Sequence, residues 1–388
     1  MGKQKICIVG GGLTGLMTAA ALGKLNLEID LVIGNLGQDF KSDRTIAISQ
    51  NNFNYLKRLN IFKFKKKEFW PCSKMKLYKQ DEKKFTKIFE LNKKKQVLYM
   101  IKNSNIMKNL IQSIKKNKSI SLKTNQKISS IISSGLLKVV KFKNKSSAKY
   151  NLIIICTGSD SNLVKNIFNE KVFKHSYEEI SGTTILQHKP IQNNIIRQIF
   201  FHNEILALLP ISNTKTSIVW SVNKNLMKKY KSKNNLLFKK KIKFYTKTYL
   251  KRIKFFNNIE YKNLNFLIRK IYYKNRVLLF GDALHVVHPF VGQGFNMTLR
   301  DLATLEKFLR VKINLGLDIG SLDVLSEFTD ERKSANLIHS LGINFIKEVF
   351  SVKKKSLKNL RNIFIMRLNN NNFLKEFFFN FADKGFKF

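Results

Sequence analysis

Gly10-Gly11-Gly12-Leu13-Thr14-Gly15 constrains this chain more than any other run in it. Gly10, Gly12 and Gly15 meet the G-x-G-x-x-G spacing, between an apolar run at residues 6–9 and an Ala-rich stretch to about residue 25. A strand, a tight glycine turn and a helix in that order let the backbone approach a pyrophosphate closely and present a helix N-terminus to its charge. Residues 29–33 read as the next strand, so the chain opens with a βαβ unit and the expectation of a dinucleotide site. The acid that such sites carry about 20 residues further on is missing. Gly34-Asn35 occupies its place, and Asn35 is the residue left to accept from a ribose hydroxyl.

A chain of 388 residues holds two or three structural units in one or two domains, and a composition 44% apolar and 12% aromatic excludes wholesale disorder. No run approaches the ~18 apolar residues of a spanning helix. The formal charge of +47 first suggests nucleic acid or an anionic membrane. Yet 61 of the 72 cations are lysine and only 11 are arginine, the residue whose planar fork reads bases and clamps phosphates. With Asn, Ile and Phe also abundant, the surplus matches the residue usage of an A+T-rich genome, and lysine runs such as 65–67, 93–95 and 353–355 read as solvated faces. A nucleic-acid role therefore ranks last. Attraction to acidic lipid headgroups survives either explanation.

Helical patterns are expected at about 51–59, 106–114 and 224–249, and strands at 74–91, 119–122, 136–140, 152–156, 205–211, 216–222 and 276–280. From about residue 294 the pattern is helical, with breaks at 316–320 and 369–372. The fold class that follows is α/β: a Rossmann-like nucleotide-binding domain with an inserted mixed β-sheet domain and a helical C-terminal segment. The expected division gives residues 1–73, 98–175 and 274–330 to the first domain, 74–97 and 176–273 to the insertion, and 331–388 to the helical end.

A second block is longer and more specific. Gly281-Asp282-Ala283-Leu284-His285 leads through His288-Pro289 to Gly292-Gln293-Gly294-Phe295-Asn296 and on to Arg300-Asp301. A carboxylate at a strand end can accept from ribityl or ribose hydroxyls, and a Gly-Gln-Gly turn opening a helix offers free amides to a ring oxygen or phosphate. Asp282 as a plain helix cap and Pro289 as a plain turn former are the bland alternatives.

This block, the N-terminal glycines and Asp43-Arg44-Thr45-Ile46-Ala47-Ile48-Ser49 together resemble the FAD-dependent aromatic hydroxylases of ubiquinone biosynthesis, relatives of para-hydroxybenzoate hydroxylase. The likeness extends over nearly the whole chain. It implies that FAD is bound by Gly10, Gly12 and Gly15 at the pyrophosphate, by Arg44, Gly158 and Gly281, and by Asp282 at the ribityl chain. Pro289 would lie beside the reactive flavin edge, with the amides around Gly292, Gln293 and Gly294 at the pyrimidine side and Asn296 following at the start of that helix. NAD(P)H would be the reductant and O2 the cosubstrate, with a flavin C4a-hydroperoxide passing oxygen to a prenylated phenol or benzoquinol. No residue stands out as a catalytic base, and the inserted strands, including residues 206–211 and 218–222 with Trp220, would wall the substrate pocket. Runner-up readings are another FAD oxidoreductase acting on a prenyl lipid, and a flavin-binding accessory subunit of a quinone-biosynthesis complex.

One family motif is altered. Where relatives carry Asp-Gly-x-x-Ser-x-x-Arg, this chain has Thr157-Gly158-Ser159-Asp160-Ser161-Asn162-Leu163-Val164, with Lys165 one place beyond the missing arginine. Direct reduction by a nicotinamide is what the change brings into question.

His285 and His288 lack a third ligand for a metal, and none is expected. Cys7, Cys72 and Cys156 read as buried small residues of a reducing compartment, and no signal region follows the N-terminal charges, so cytoplasmic placement is expected, with the inner membrane surface open. A polyprenyl substrate would bring peripheral membrane contact. The Phe-rich end, with Phe373, Phe379, Phe381, Phe386 and Phe388, reads either as an amphipathic segment on a bilayer or as a packed helix.

Overall fold

A computed structural model describes residues 2–34, 42, 44–62, 68–81, 84–92, 96–170, 172–201, 204–289, 292–351 and 371–385. Asn35, Phe386, Phe388 and the lysine runs named above lie outside the described residues.

Two sheets carry the architecture. The first has six strands in the order Tyr273–Lys274, Val277–Leu279, Leu152–Ile155, Gln4–Val9, Leu27–Ile33 and Ile120–Thr124. All pair in parallel except the hairpin that adds Tyr273–Lys274. Parallel strands covered on both faces need unbroken apolar runs, and Leu152, Ile153, Ile154 and Ile155 are all fully buried. The helix Leu13–Leu22 lies between this sheet and the helices Asn103–Lys116 and Gln293–Asn314, so Ala19, Ala20 and Ala21, on successive sides of it, are all buried.

The second sheet runs His285–Val286, Glu260–Ile268, Phe173–Gln187, Lys215–Asn223, Glu204–Pro210, Ile195–Phe200, Lys74–Asp81 and Lys84–Asn92, with Lys254–Phe255 also paired to Phe173–Gln187. It is mixed, because Ile195–Phe200 and Lys74–Asp81 are parallel while the other pairs are antiparallel. One face is covered by the helix Lys224–Thr246, which buries Phe238 and Ile242 against Trp220. Fully burying side chains of this size contributes about 1.5–3 kcal/mol each. The long strand begins at Phe173, well before the β pattern was legible, because residues 173–181 are largely exposed and polar and lack a clean alternation.

The connection between the sheets matters for function. The chain leaves the first sheet at Leu279, makes the turn Gly281–Ala283, and joins the edge of the second sheet at His285, which pairs with Ile268. Asp282 thus stands on the seam. Two small sheets complete the β structure: Ile128–Ser134, Leu137–Phe142 and Ser147–Tyr150, and Thr45–Ser49, Leu98–Lys102 and Trp70–Cys72.

The C-terminal part is helical, with Gln293–Asn314, Leu322–Ser351 and Asn372–Lys384. The last of these packs: Phe381 stacks obliquely on His339 with ring centres 4.7 Å apart, while Phe373 at its start is 76% exposed. Asp383 accepts from the Asn51 backbone N–H at 2.8 Å, tying the C-terminal helix to the start of Gln50–Leu59. No helix among the described residues is long and apolar enough to cross a membrane.

Candidate active site

A cavity of about 640 Å3 opens along the seam. On the side of the first sheet it is lined by the glycine loop from Gly10 to Thr14, by Gly34, and by Thr157 and Gly158. Asp282, His285, Pro289, Gly292 and Gly294 close one end, Arg44 to Ala47 lie along it, and Ser181, Thr183, Val219 and Leu264 of the second sheet face them.

The glycines are there because side chains would not fit. Gly10 has φ +132°, and a Cβ on it would fall 2.7 Å from the Cys156 carbonyl oxygen; one on Gly15 would fall 2.0 Å from the Gly10 oxygen. Gly12 is the N-cap of Leu13–Leu22, so the first amides of that helix open toward the cavity. At the other end Gly292, with φ +67°, caps Gln293–Asn314, and a Cβ there would meet Ala47 Cβ at 2.8 Å. Two helix N-termini therefore end on one elongated space.

Gly10, Gly12, Arg44, Gly158, Asp282, Pro289, Gly292 and Gly294 come together as cavity lining. Gly15, Gly281 and the side chains of Gln293 and Asn296 stand behind it, while the Gln293 backbone amide belongs to the open helix N-terminus at Gly292. Gly15 packs under Gly10, and Gly281, with φ +63°, packs on Thr14. Gln293 turns its side chain to His339, with Oε1 3.2 Å from Nε2, and Asn296 is fully buried, donating to the Ala47 and Gly292 carbonyls and accepting from Ser49 N and Asn52 Nδ2. The helix period explains this: residues 293 and 296 share the flank facing the Thr45–Ser49 strand and the Leu322–Ser351 helix, while the end of the helix faces the cavity.

Trp220, read from sequence as a substrate-pocket wall with Leu206 and Ile218, lies on the opposite face of the sheet. Its Nε1 donates to the buried Glu204, which also accepts from Tyr230. Burial raises the Glu204 carboxyl above its ordinary range, against the lowering effect of those donors. Strand alternation puts Val219 in the cavity, and the same alternation selects Ser181 and Thr183, which sequence reading missed.

Arg44 pairs with Glu260 at 3.1 Å, and Glu260 also accepts from Ser42, so the rim of the first domain is fastened to the second sheet. Behind the turn, His285 Nε2 lies 2.7 Å from Asp301, which accepts from Arg332 and Asn336 as well. Burial alone would raise the Asp301 carboxyl, but Arg332 and His285 outweigh it and hold it at about 2. His288 Nε2 lies 3.1 Å from Glu179, which pairs with Lys347. These partners are hydrogen-bonding ones, and no cluster that could hold a metal occurs among the described residues.

The altered motif has a structural correlate. Gly158 keeps the left-handed φ of +85° and lines the cavity, whereas Val164 is fully buried in the apolar core and Lys165 is exposed. A charge at position 164 would be unpaired inside that core.

The cavity fits FAD: side-chain-free loops for the pyrophosphate, an exposed carboxylate on the seam for hydroxyls, and two helix N-termini for anionic groups. A nucleotide-binding sheet joined to a mixed sheet across such a cavity defines a flavoprotein. The FAD binding domain family matches residues 3–333, and the chain belongs to that family. It is an FAD-dependent enzyme of a class that uses NAD(P)H and O2.

The ubiquinone biosynthesis monooxygenase COQ6 of Dictyostelium discoideum is 24% identical over 94% of this chain and 88% of its own length. That of Caenorhabditis elegans is 23% identical over 96% and 94%; both relatives are named as mitochondrial. Among solved structures, p-nitrophenol 4-monooxygenase PnpA from Pseudomonas putida superposes with a TM-score of 0.80 over 100% of this chain and 99% of that one, at 15% identity. Klebsiella pneumoniae HpxO, complexed with FAD and uric acid, gives 0.73 over 98% and 96%, also at 15%. These structural likenesses establish the fold.

Proposed function

We propose that this chain hydroxylates the ring of a prenylated phenol or benzoquinol in ubiquinone biosynthesis. The carrying observation is the single cavity in which the glycine loop, Asp282, Pro289 and the Gly292 turn face Ser181, Thr183 and Val219 of the second sheet. When bound, FAD supplies the redox chemistry with NAD(P)H and O2. The protein does the positioning. Gly10 and Gly12 bring backbone and helix amides to the pyrophosphate, and Asp282 accepts from ribityl hydroxyls. The amides after Gly292 favour negative charge at the far end of the ring system. Pro289, rigid and without an N–H, bounds the space for the substrate ring, and the second sheet keeps water out.

In this reading residues 1–73, 98–175 and 274–330 bind the cofactor, while 74–97 and 176–273 form the substrate side. The curated relatives' names point the same way. A prenylated substrate resides in a bilayer, so in this reading the enzyme works at a membrane surface, alongside other quinone-synthesising proteins.

One observation favours a second reading, in which a partner protein delivers the electrons or the chain serves as a flavin-binding accessory subunit. Val164 is buried where relatives carry an arginine associated with the nicotinamide donor. The test loads purified protein with FAD, adds NADH or NADPH anaerobically with and without a short-chain prenylphenol, then admits oxygen-18 gas. Substrate-accelerated bleaching and one labelled oxygen in the product support the hydroxylase. Bound flavin that neither nucleotide reduces favours the second reading, and failure to bind FAD overturns both.

A further inference from the structure

We propose that the outer face of the helix Lys224–Thr246 is a docking surface for an anionic lipid bilayer. The inference goes beyond the hydroxylase reading and is tested separately from it, because its readout is lipid binding. Between Glu204 and Glu260 the chain contains 14 lysines and arginines and no acidic residue. Residues 91–159 also lack acids, and Lys224 pairs with Glu178, so charge alone does not single out this helix; the exposed apolar residues among its cations do.

The helix has two unlike faces. Met227, Tyr230, Phe238, Ile242 and Tyr245 are buried against the second sheet. At Asn234 and Asn235 the backbone takes left-handed φ values of 53° and 62°, and the Tyr261 hydroxyl fixes this interruption by donating to Asn235 Oδ1 at 2.7 Å. Beyond it, helical period sets Leu236, Leu237, Lys240, Lys243, Phe244 and Lys247 on the side away from Phe238 and Ile242. Leu236 is 62% exposed, Leu237 44% and Phe244 54%, and Lys247 Nζ lies 4.6 Å from the centre of the Phe244 ring.

A lysine face that served only solubility would carry polar residues between its cations. This one carries two leucines and a phenylalanine. Apolar side chains flanked by lysines match the two needs of an interfacial helix, entry into the acyl boundary and attraction to headgroup phosphates. The flexible lysine stems let the ammonium groups reach the headgroups while the apolar residues sit deeper. A nucleic-acid surface would instead need arginine forks or several stacking aromatics; of the residues named on this face none is arginine and only Phe244 is aromatic.

FAD-loaded full-length protein is sedimented with vesicles of phosphatidylcholine, alone or mixed with phosphatidylglycerol. Binding is expected to the mixed vesicles, weakening as salt rises. Lys240→Gln/Lys243→Gln/Lys247→Gln should lower the partition coefficient by about fivefold per lysine. Leu236→Ser/Leu237→Ser/Phe244→Ser should lower it by about tenfold or more at constant salt. Flavin absorbance and circular dichroism should match wild type in both variants, since these residues are exposed and outside the cavity. Wild-type protein that ignores the mixed vesicles, or apolar variants that bind them as well as wild type does, overturns the proposal. A lysine variant weakened alone, with RNA displacing the vesicles, would assign the face to polyanions instead.

Discussion

Asn296 Nδ2 donates to the Ala47 carbonyl at 2.8 Å, joining the helix that ends on the cavity to the strand that runs along it. The same amide donates to Gly292 O at 2.9 Å, and its oxygen accepts from Ser49 N at 2.9 Å and Asn52 Nδ2 at 2.8 Å, so one side chain satisfies four polar partners in a dry place. Asn296→Leu would remove all four bonds at once; Asn52 Nδ2 would keep the backbone oxygen of residue 296 at 3.0 Å, while Ser49 N would lose its side-chain acceptor in a buried place. The apo-protein should lose about 3 kcal/mol or more in urea unfolding, and FAD affinity should fall with it. Unchanged stability would show that the network can be replaced by packing.

The glycines of the loop differ in what they exclude. At Gly15 an added Cβ would overlap the Gly10 oxygen at 2.0 Å, with backbone on both sides of the clash, whereas at Gly158 nothing lies within 4 Å and only the left-handed φ opposes a side chain. Gly15→Ala should therefore displace the loop and abolish flavin retention. Gly158→Ala should cost only the conformational penalty of about 1–2 kcal/mol and keep measurable FAD binding. Flavin absorbance per mole of purified variant separates the two.

Asp282 is exposed on the turn between the sheets and lines the cavity, so the proposed role puts its carboxylate on the cofactor and leaves the fold independent of it. Asp282→Ala should leave the apo thermal midpoint close to wild type, as surface substitutions do. FAD affinity should drop by about tenfold or more, the loss expected for a hydrogen bond to a charged acceptor. A matched pair of calorimetric scans and FAD titrations reads both quantities. A flavin affinity equal to wild type would remove Asp282 from the site.

The α/β class, the opening βαβ unit and the Gly281 block were legible because each rests on local pattern: an apolar run buried on both faces, glycines where no Cβ fits, a turn that opens a helix. What escaped was set by partners distant in sequence. The Asn296 side chain looks like a cofactor contact in a glycine-rich motif, yet Ala47, Gly292, Ser49 and Asn52 take its hydrogen bonds. Trp220 looked like pocket wall, and only the helix packed behind it shows which face it serves. The strand Thr45–Ser49, read as a motif and not as a strand, is fixed by pairing with Leu98–Lys102, which no local period announces.

The same distant packing makes stability depend on pH. Burial lowers the pKa of His339, and the nearby Arg300 and Arg332 lower it further; Arg300 Nη2 donates to His339 Nε2 at 2.9 Å, a bond that requires the neutral ring. Burial also lowers His288, against the opposing pull of Glu179. In both cases the folded pKa lies below the unfolded value of about 6.5, so the unfolded chain binds more protons once the pH falls below that value. Their contribution to stability is complete above about pH 6.5 and is lost progressively as pH falls, by at most about 1.4 kcal/mol per pH unit for each histidine. Asp301 does not share this window: held at about 2, its carboxylate is lost only between the ordinary aspartate range near 4 and that value. Urea midpoints of the apo-protein should therefore fall from pH 7 to pH 5, and His339→Gln, which keeps an acceptor for Arg300, should flatten that slope without moving the transition below pH 4. A slope that persists undiminished in His339→Gln would assign the proton uptake to groups other than His339.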